Sequence, residues 1–179
     1  MKPALRARAR ARRRELAARG PTAATLVAGH APALPPGRVV AVYHAMGSEL
    51  DPSPLALALI DEGRALCLPV VGTRDAPMIF RLWHPGDPLQ PDTAGCPAPL
   101  PLASEVTPDL ILTPLLAFDA AGGRLGQGGG YYDRTFAKLP EARRIGLAFS
   151  GQEVDHLPLE PHDIRLHGVL TERGYRAFP

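Results

Sequence analysis

The stretch that decides the fold runs from Asp109 to Ser150, "DLILTPLLAFDAAGGRLGQGGGYYDRTFAKLPEARRIGLAFS". It opens on an apolar run and passes through a segment with glycine at 126, 128, 129 and 130. A helix-forming segment from about Tyr131 to Lys138 follows, and then a second apolar run. Short apolar runs bounded by turn residues read as buried strands. The order is therefore strand, glycine-rich loop, helix, strand.

The rest of the chain repeats that alternation. "RVVAVYH", "ALCLPVV", "PMIFRLWH" and "LHGVLT" read as further strands. "DPSPLALALIDEG" reads as a helix started by Asp51 and Pro54 and ended by Gly63, and Thr22–Gly29 as a shorter one. Residues 3–18 form a helix with Pro3 in its first turn and Gly20-Pro21 as its stop. Pro85–Pro108 is rich in Pro, Gly and Asp and reads as a long irregular excursion, a feature often tied to function. Apolar strands alternating with helices predict an α/β fold: one three-layer domain over 1–179, its mainly parallel central sheet covered by helices on both faces.

Composition narrows the function classes. The 179 residues are 45% hydrophobic, as in ordinary globular domains. No apolar run approaches the roughly 20 residues of a membrane helix. The basic N-terminus is followed by no apolar signal segment, and as a transit peptide it is Arg-rich but lacks serine. Cys67 and Cys96 have neither CxxC nor metal-ligand spacing. A reducing, cytoplasmic setting is expected, with no membrane and no nucleic acid as partner and a monomeric chain. Residues 1–19 hold Lys2 and seven arginines against Glu15, a net +7 in a chain whose total is +2, so the remaining body carries −5. Such a block meets a polyanion or is a solvated helix face.

The glycine stretch carries the chemistry. Amides at a helix N-terminus lack partners and carry partial positive charge. Glycines let an anion approach that backbone, and phosphate is the usual ligand. A tight strand-to-helix turn is the alternative, though it needs fewer glycines. The spacing matches neither GxxxxGK[ST] nor GxGxxG. Asp133, in the helix's first turn, either complements the dipole or holds a Mg²⁺ that bridges phosphates. Tyr131 and Tyr132 are adjacent and cannot share a face; one is expected in the core, the other as a flat surface for a ring.

"FDAAGGRLGQGGGYYDR" resembles the signature of the 5-formyltetrahydrofolate cyclo-ligase family. "KPALR", "GSELD", "IGLAFSGQEVDHLPLEPHD" and "GVLTERG" resemble its other segments, in register along nearly the whole chain. The resemblance implies ATP- and Mg²⁺-dependent conversion of 5-formyltetrahydrofolate to 5,10-methenyltetrahydrofolate, with ADP and phosphate released. It implies an architecture shared with sugar-phosphate isomerases and CoA transferases.

By matching position, it also implies site residues. ATP contacts fall on Lys2, Pro3, Ala4, Leu5 and Arg6, and on Arg124, Leu125, Gly126, Gln127, Gly128, Gly129, Gly130, Tyr131 and Tyr132. Metal carboxylates fall on Asp133 and Asp163. Substrate contacts fall on Glu49 and His44, with Tyr131 and Tyr132. Lys2, Arg6, Arg124 and Asp133 are the expected catalytic set. Trp83, after a strand, either stacks on the substrate or is a core tryptophan. Some family members have lysine where this chain has Gly129, so neutralisation of phosphate charge rests on Lys2, Arg6, Arg124 or Arg134. The alternatives are another enzyme of the same architecture, such as a sugar-phosphate isomerase or a CoA transferase with Glu49 as nucleophile, or a nucleic-acid-binding module using the basic arm. The last lacks interleaved aromatics.

Overall fold

The computed structural model describes residues 2–179. Helix α1 (Lys2–Arg19) and helix α2 (Ala23–Ala28) precede strand β1 (Val39–Ala41), helix α3 (Ser53–Asp61) and strand β2 (Ala65–Val70). Strands β3 (Ile79–Leu82), β4 (Leu89–Pro91), β5 (Pro97–Pro99) and β6 (Glu105–Val106) lead to β7 (Leu110–Pro114). The hairpin β8 (Ala117–Phe118) and β9 (Arg124–Leu125) delivers the glycine loop to helix α4 (Tyr131–Lys138). Strands β10 (Arg143–Leu147), β11 (Gly168–Thr171) and β12 (Gly174–Ala177) complete the chain.

Eight strands form one sheet in the order β12-β11-β10-β7-β1-β2-β3-β6. The five central strands, β11 to β2, are parallel, and the strands at both margins are antiparallel. Side chains alternate between the two faces. Val40, Leu66, Leu68, Leu110, Leu112, Ile145, Leu147 and Leu170 pack with α2, α3 and the end of α1. Ala41, Cys67, Ile111 and Val169 pack on the other face with Phe136 of α4. The expected three layers are therefore present.

Two expectations change. Pro85–Pro108 is not wholly irregular: β4 and β5 pair antiparallel as a separate ribbon, and β6 joins the main sheet. The segment "RVVAVYH" pairs only over Val39–Ala41; beyond it the chain leaves the ladder and turns Tyr43 and His44 toward a cavity. Among the parallel strands the spatial order β2-β1-β7-β10-β11 reverses direction of progress between β1 and β7. In doubly wound sheets ligands gather at such a switch point, beyond the strand C-termini.

Candidate active site

A cavity of about 640 Å³ opens at that switch point. Tyr43, His44 and Glu49 reach it from the segment after β1, and Pro114 and Leu115 from the end of β7. The glycine loop from Arg124 to Tyr132 forms one wall. Lys2, Pro3, Arg6 and Arg13 of α1 form another, with Asp133 and Asp163 between them. Its size lies in the range of small-molecule sites.

The loop's conformation answers what its glycines are for. Gly128 has φ +107° and Gly130, which precedes α4, has φ +69°. The first lies where side chains rarely go; the second lets the chain enter the helix from a left-handed residue. The loop is held from α1: Arg6 Nε donates to Gly126 O at 3.0 Å and Arg10 Nε to Gln127 Oε1 at 2.9 Å. Arg134 holds its other side, donating to Gly129 O at 2.9 Å and to Arg74 O at 2.7 Å. Upstream, buried Asp119 fixes the β8–β9 turn by accepting from the amides of Ala121, Gly123 and Leu157.

The acidic groups are paired with basic ones. Arg124 Nη2 donates to Asp133 Oδ2 at 2.9 Å, and its guanidinium lies over the rings of Tyr132 and Phe136. The other Asp133 oxygen accepts from the amide of Ile164 at 3.1 Å, which brings α4 against the residue after Asp163. Lys2 Nζ donates to Asp163 Oδ2 at 2.7 Å and lies 3.2 Å from Glu160 Oε2. Burial raises the Asp163 carboxyl, but the Glu160 amide and the Lys2 ammonium outweigh it and hold the group below its ordinary range. Burial likewise lowers Lys2, and its bonds to Asp163 and Glu160 outweigh that, so its ammonium is held above its usual value.

On the far wall Glu49 Oε2 accepts from the Met46 amide at 2.9 Å, and Oε1 lies 3.6 Å from Arg13 Nη1. Burial pushes the Glu49 carboxyl up, against the lowering pull of that amide and of Arg13. Tyr132 packs on Phe136, with ring centroids 5.9 Å apart, and burial pushes its phenol up. Tyr131 carries Arg134 over its ring at 5.1 Å. Both tyrosines are half-buried and border the cavity, Tyr132 packed on the α4 core and Tyr131 beneath Arg134.

Three expected positions fall elsewhere. Ala4 is exposed and Leu5 packs with Leu116, Leu125 and Leu157, because helical rotation turns both away from the face that carries Lys2 and Arg6. Trp83 lies outside this cavity. It packs at the margin of the α2–α3 core and lines a neighbouring recess with His44, Leu57 and Leu89. Arg10, Arg13 and Asp119 had no assigned role in the sequence, whereas Arg134, expected among the phosphate-neutralising cations, braces the glycine loop instead through Gly129 O. A signal existed for Arg13: positions 2, 6 and 13 fall within about 40° on a 3.6-residue helix.

A doubly wound α/β domain with a glycine-walled cavity of mixed charge at its switch point has the architecture of a small-molecule enzyme. The sequence pattern of the 5-formyltetrahydrofolate cyclo-ligase family matches residues 1–172, and the chain belongs to that family of enzymes. It is 37% identical over 139 residues to the 5-formyltetrahydrofolate cyclo-ligase of Escherichia coli K12, covering 74% of this chain and 76% of that one. Identity to the Mycolicibacterium smegmatis protein of the same name is 34% over 151 residues, covering 79% and 78%. The solved 5,10-methenyltetrahydrofolate synthetase of Aquifex aeolicus superposes with a TM-score of 0.77 at 27% identity, covering 98% of this chain and 92% of that one. Among the described residues no helix is long and apolar enough to cross a membrane.

Proposed function

We propose that the cavity holds ATP against the glycine loop and 5-formyltetrahydrofolate against Glu49, and joins their chemistry between the two walls. The observation that carries this reading is the gathering of the α4 N-terminus, Lys2, Arg6 and Glu49 in the lining of a single cavity. Helix N-terminal amides and flanking cations suit a polyphosphate. Glu49 suits the N–H donors of a pterin.

A formamide carbon is a poor electrophile. The formyl oxygen attacks the terminal phosphorus of ATP, the bond from phosphorus to the bridging oxygen breaks, and ADP leaves. The carbon now bears a phosphate leaving group. N10 attacks it and closes a five-membered ring, the N10 proton passes to phosphate, and the carbon–oxygen bond breaks to release phosphate and the methenyl cation. The residues of the chain position these atoms and neutralise charge, which is where catalysis of phosphoryl transfer resides. Lys2 and Arg6 face the phosphates, Arg124 orients Asp133, and the Tyr131 and Tyr132 rings wall off water.

The donor set fits a hard dication. Asp133 and Asp163 border the same cavity, joined through the Ile164 amide, and Glu160, His162 and Asp163 offer ligand atoms within 4.8 Å of one another. Mg²⁺ takes oxygen ligands and needs only one or two carboxylates. Bound there it would supply positive charge beside the phosphates.

The test is direct. The protein with 5-formyltetrahydrofolate, ATP and Mg²⁺ should yield the near-ultraviolet absorbance of the methenyl product together with ADP. Product formed without ATP, or turnover of an acyl-CoA instead, would refute the assignment.

A further inference from the structure

Arg13 is the most deeply buried cation of α1, at 5% exposure, and it sits in the cavity lining beside Glu49. A buried guanidinium is costly unless its donors are used. Here they are directed to three points on two different loops. Arg13 Nε donates to Ser48 Oγ at 3.1 Å, Nη1 donates to Leu115 O at 3.2 Å, and Nη1 lies 3.6 Å from Glu49 Oε1. Ser48 and Glu49 belong to the segment after β1, and Leu115 ends the run after β7. The switch point is thus bridged by one side chain from a helix outside the sheet.

Among the described residues the Glu49 carboxylate has two anchors, the Met46 amide and Arg13. The Met46 amide is in the same turn, so it cannot fix where that turn stands relative to the sheet. Arg13 can, because it is also bound to Leu115. We infer that Arg13 is a positioning residue that holds Glu49 in place for the substrate, through a fork spanning β1 and β7. This rests on the proposed role of Glu49 as the folate contact. It also gives α1 two duties on one face, with Lys2 and Arg6 at the phosphate end and Arg13 two turns further on against Glu49.

The experiment uses the full chain with Arg13→Met, Arg13→Lys, Glu49→Gln and the Arg13→Met/Glu49→Gln double variant. Arg13→Met should raise the folate KM about tenfold or more, the loss of one hydrogen bond to a charged group. The dissociation constant for ATP, measured by calorimetry, should stay within about twofold on the same scale of effects. Arg13→Lys should recover part of the loss, since an ammonium reaches one partner but lacks the fork. The double variant should be no worse than Glu49→Gln alone, because both act through one group. Amide exchange at residues 46–50 should accelerate in Arg13→Met while residues 126–130 keep their rate. Additive losses in the double variant, a parallel fall in ATP affinity, or unchanged exchange at 46–50 would overturn the inference. If Arg13→Met does not fold, Ser48→Ala, which removes one arm of the fork, carries the same exchange and KM expectations. Should the native protein form no methenyl product, the functional proposal fails, and the exchange rates still decide whether Arg13 holds the turn.

Discussion

Replacing Gly128 by alanine separates a phosphate cradle from a mere turn. At φ +107° an alanine is strained whatever space surrounds it, at about 1–3 kcal/mol. For a chain of this size that lowers Tm by about 2–4 °C per kcal/mol. A second effect is specific to the site. The new Cβ would lie 3.2 Å from Arg6 Cζ and 3.3 Å from Nη1. The guanidinium must then shift from the position in which it holds Gly126 O and faces the loop. Loss of one charged phosphate contact costs about 1.5–3 kcal/mol, or ten- to a hundredfold in ATP affinity. Gly63 provides the control: its φ is +80° and no atom lies within 4 Å of an added Cβ. Gly63→Ala should lose Tm and keep its ATP dissociation constant. Gly128→Ala should lose both, measured by thermal unfolding and by calorimetry on the folded protein. Equal ATP constants in the two variants would refute a nucleotide role for the loop.

Other outcomes follow from the same contacts. Asp133→Asn should lower kcat strongly and regain part of it at high Mg²⁺, since an amide neither neutralises Arg124 nor holds a cation; a kcat unaffected by the change would remove Asp133 from the site. Glu49→Gln should raise the folate KM or lower kcat while ATP binding holds, and its Tm should change little, because burial already disfavours the charged carboxylate; equal loss of both ligands would contradict this. The Lys2–Asp163 tie should give a pH-dependent stability whose sign is fixed on both sides. The depressed Asp163 group contributes fully above its ordinary 3.8 and loses that contribution as pH falls through its lowered value. The raised Lys2 group contributes fully below its ordinary 10.5 and loses it as pH rises through its raised value. The Tm difference between native protein and Lys2→Met should therefore be flat at neutral pH and shrink toward both extremes; a difference independent of pH would deny the tie.

What the sequence discloses and what it hides divide along physical lines. The five parallel strands were legible because strands buried on both faces carry an apolar run, as Leu110–Leu112 and Ile145–Phe149 do. Strand direction was not, since β3 carries an apolar run like its neighbours yet pairs antiparallel with β2. The β4–β5 ribbon was hidden by Pro91, Pro97 and Pro99, which read as breakers but here sit in a separate two-stranded ribbon outside the main sheet. The glycine loop and Asp133 could be found from residue type and order alone, because clustered glycines ahead of a helix mark bare backbone lining a cleft. The cavity also takes in Glu49 and Asp163, which only matched segments had suggested, and leaves out Trp83, which pairs of alternatives could not place.

Arg13 shows why the remainder was out of reach. It stands in "RARARARRREL", where six arginines make any one of them look like solvated charge. Residue type says nothing about which is buried; angular position does. The stripe 2, 6, 13 faces the cavity, while Arg8 and Arg14 point to solvent and Arg12 reaches the Gly151 carbonyl at 3.4 Å and Glu15 Oε2 at 3.5 Å. The opposite requirement comes from Leu5 and Ala9, which pack beside Leu116 and Leu157, and from Leu16, which packs against the α2–α3 core. Those apolar contacts fix the rotation of α1, and the rotation alone decides which arginines serve the site. A basic helix here is therefore set by its few apolar residues. Leu5→Asp, which leaves every arginine in place, should weaken ATP binding and raise the folate KM together, because Lys2, Arg6 and Arg13 all turn with the helix. An effect confined to Tm, with both ligand constants retained, would show that the stripe is not held by that packing.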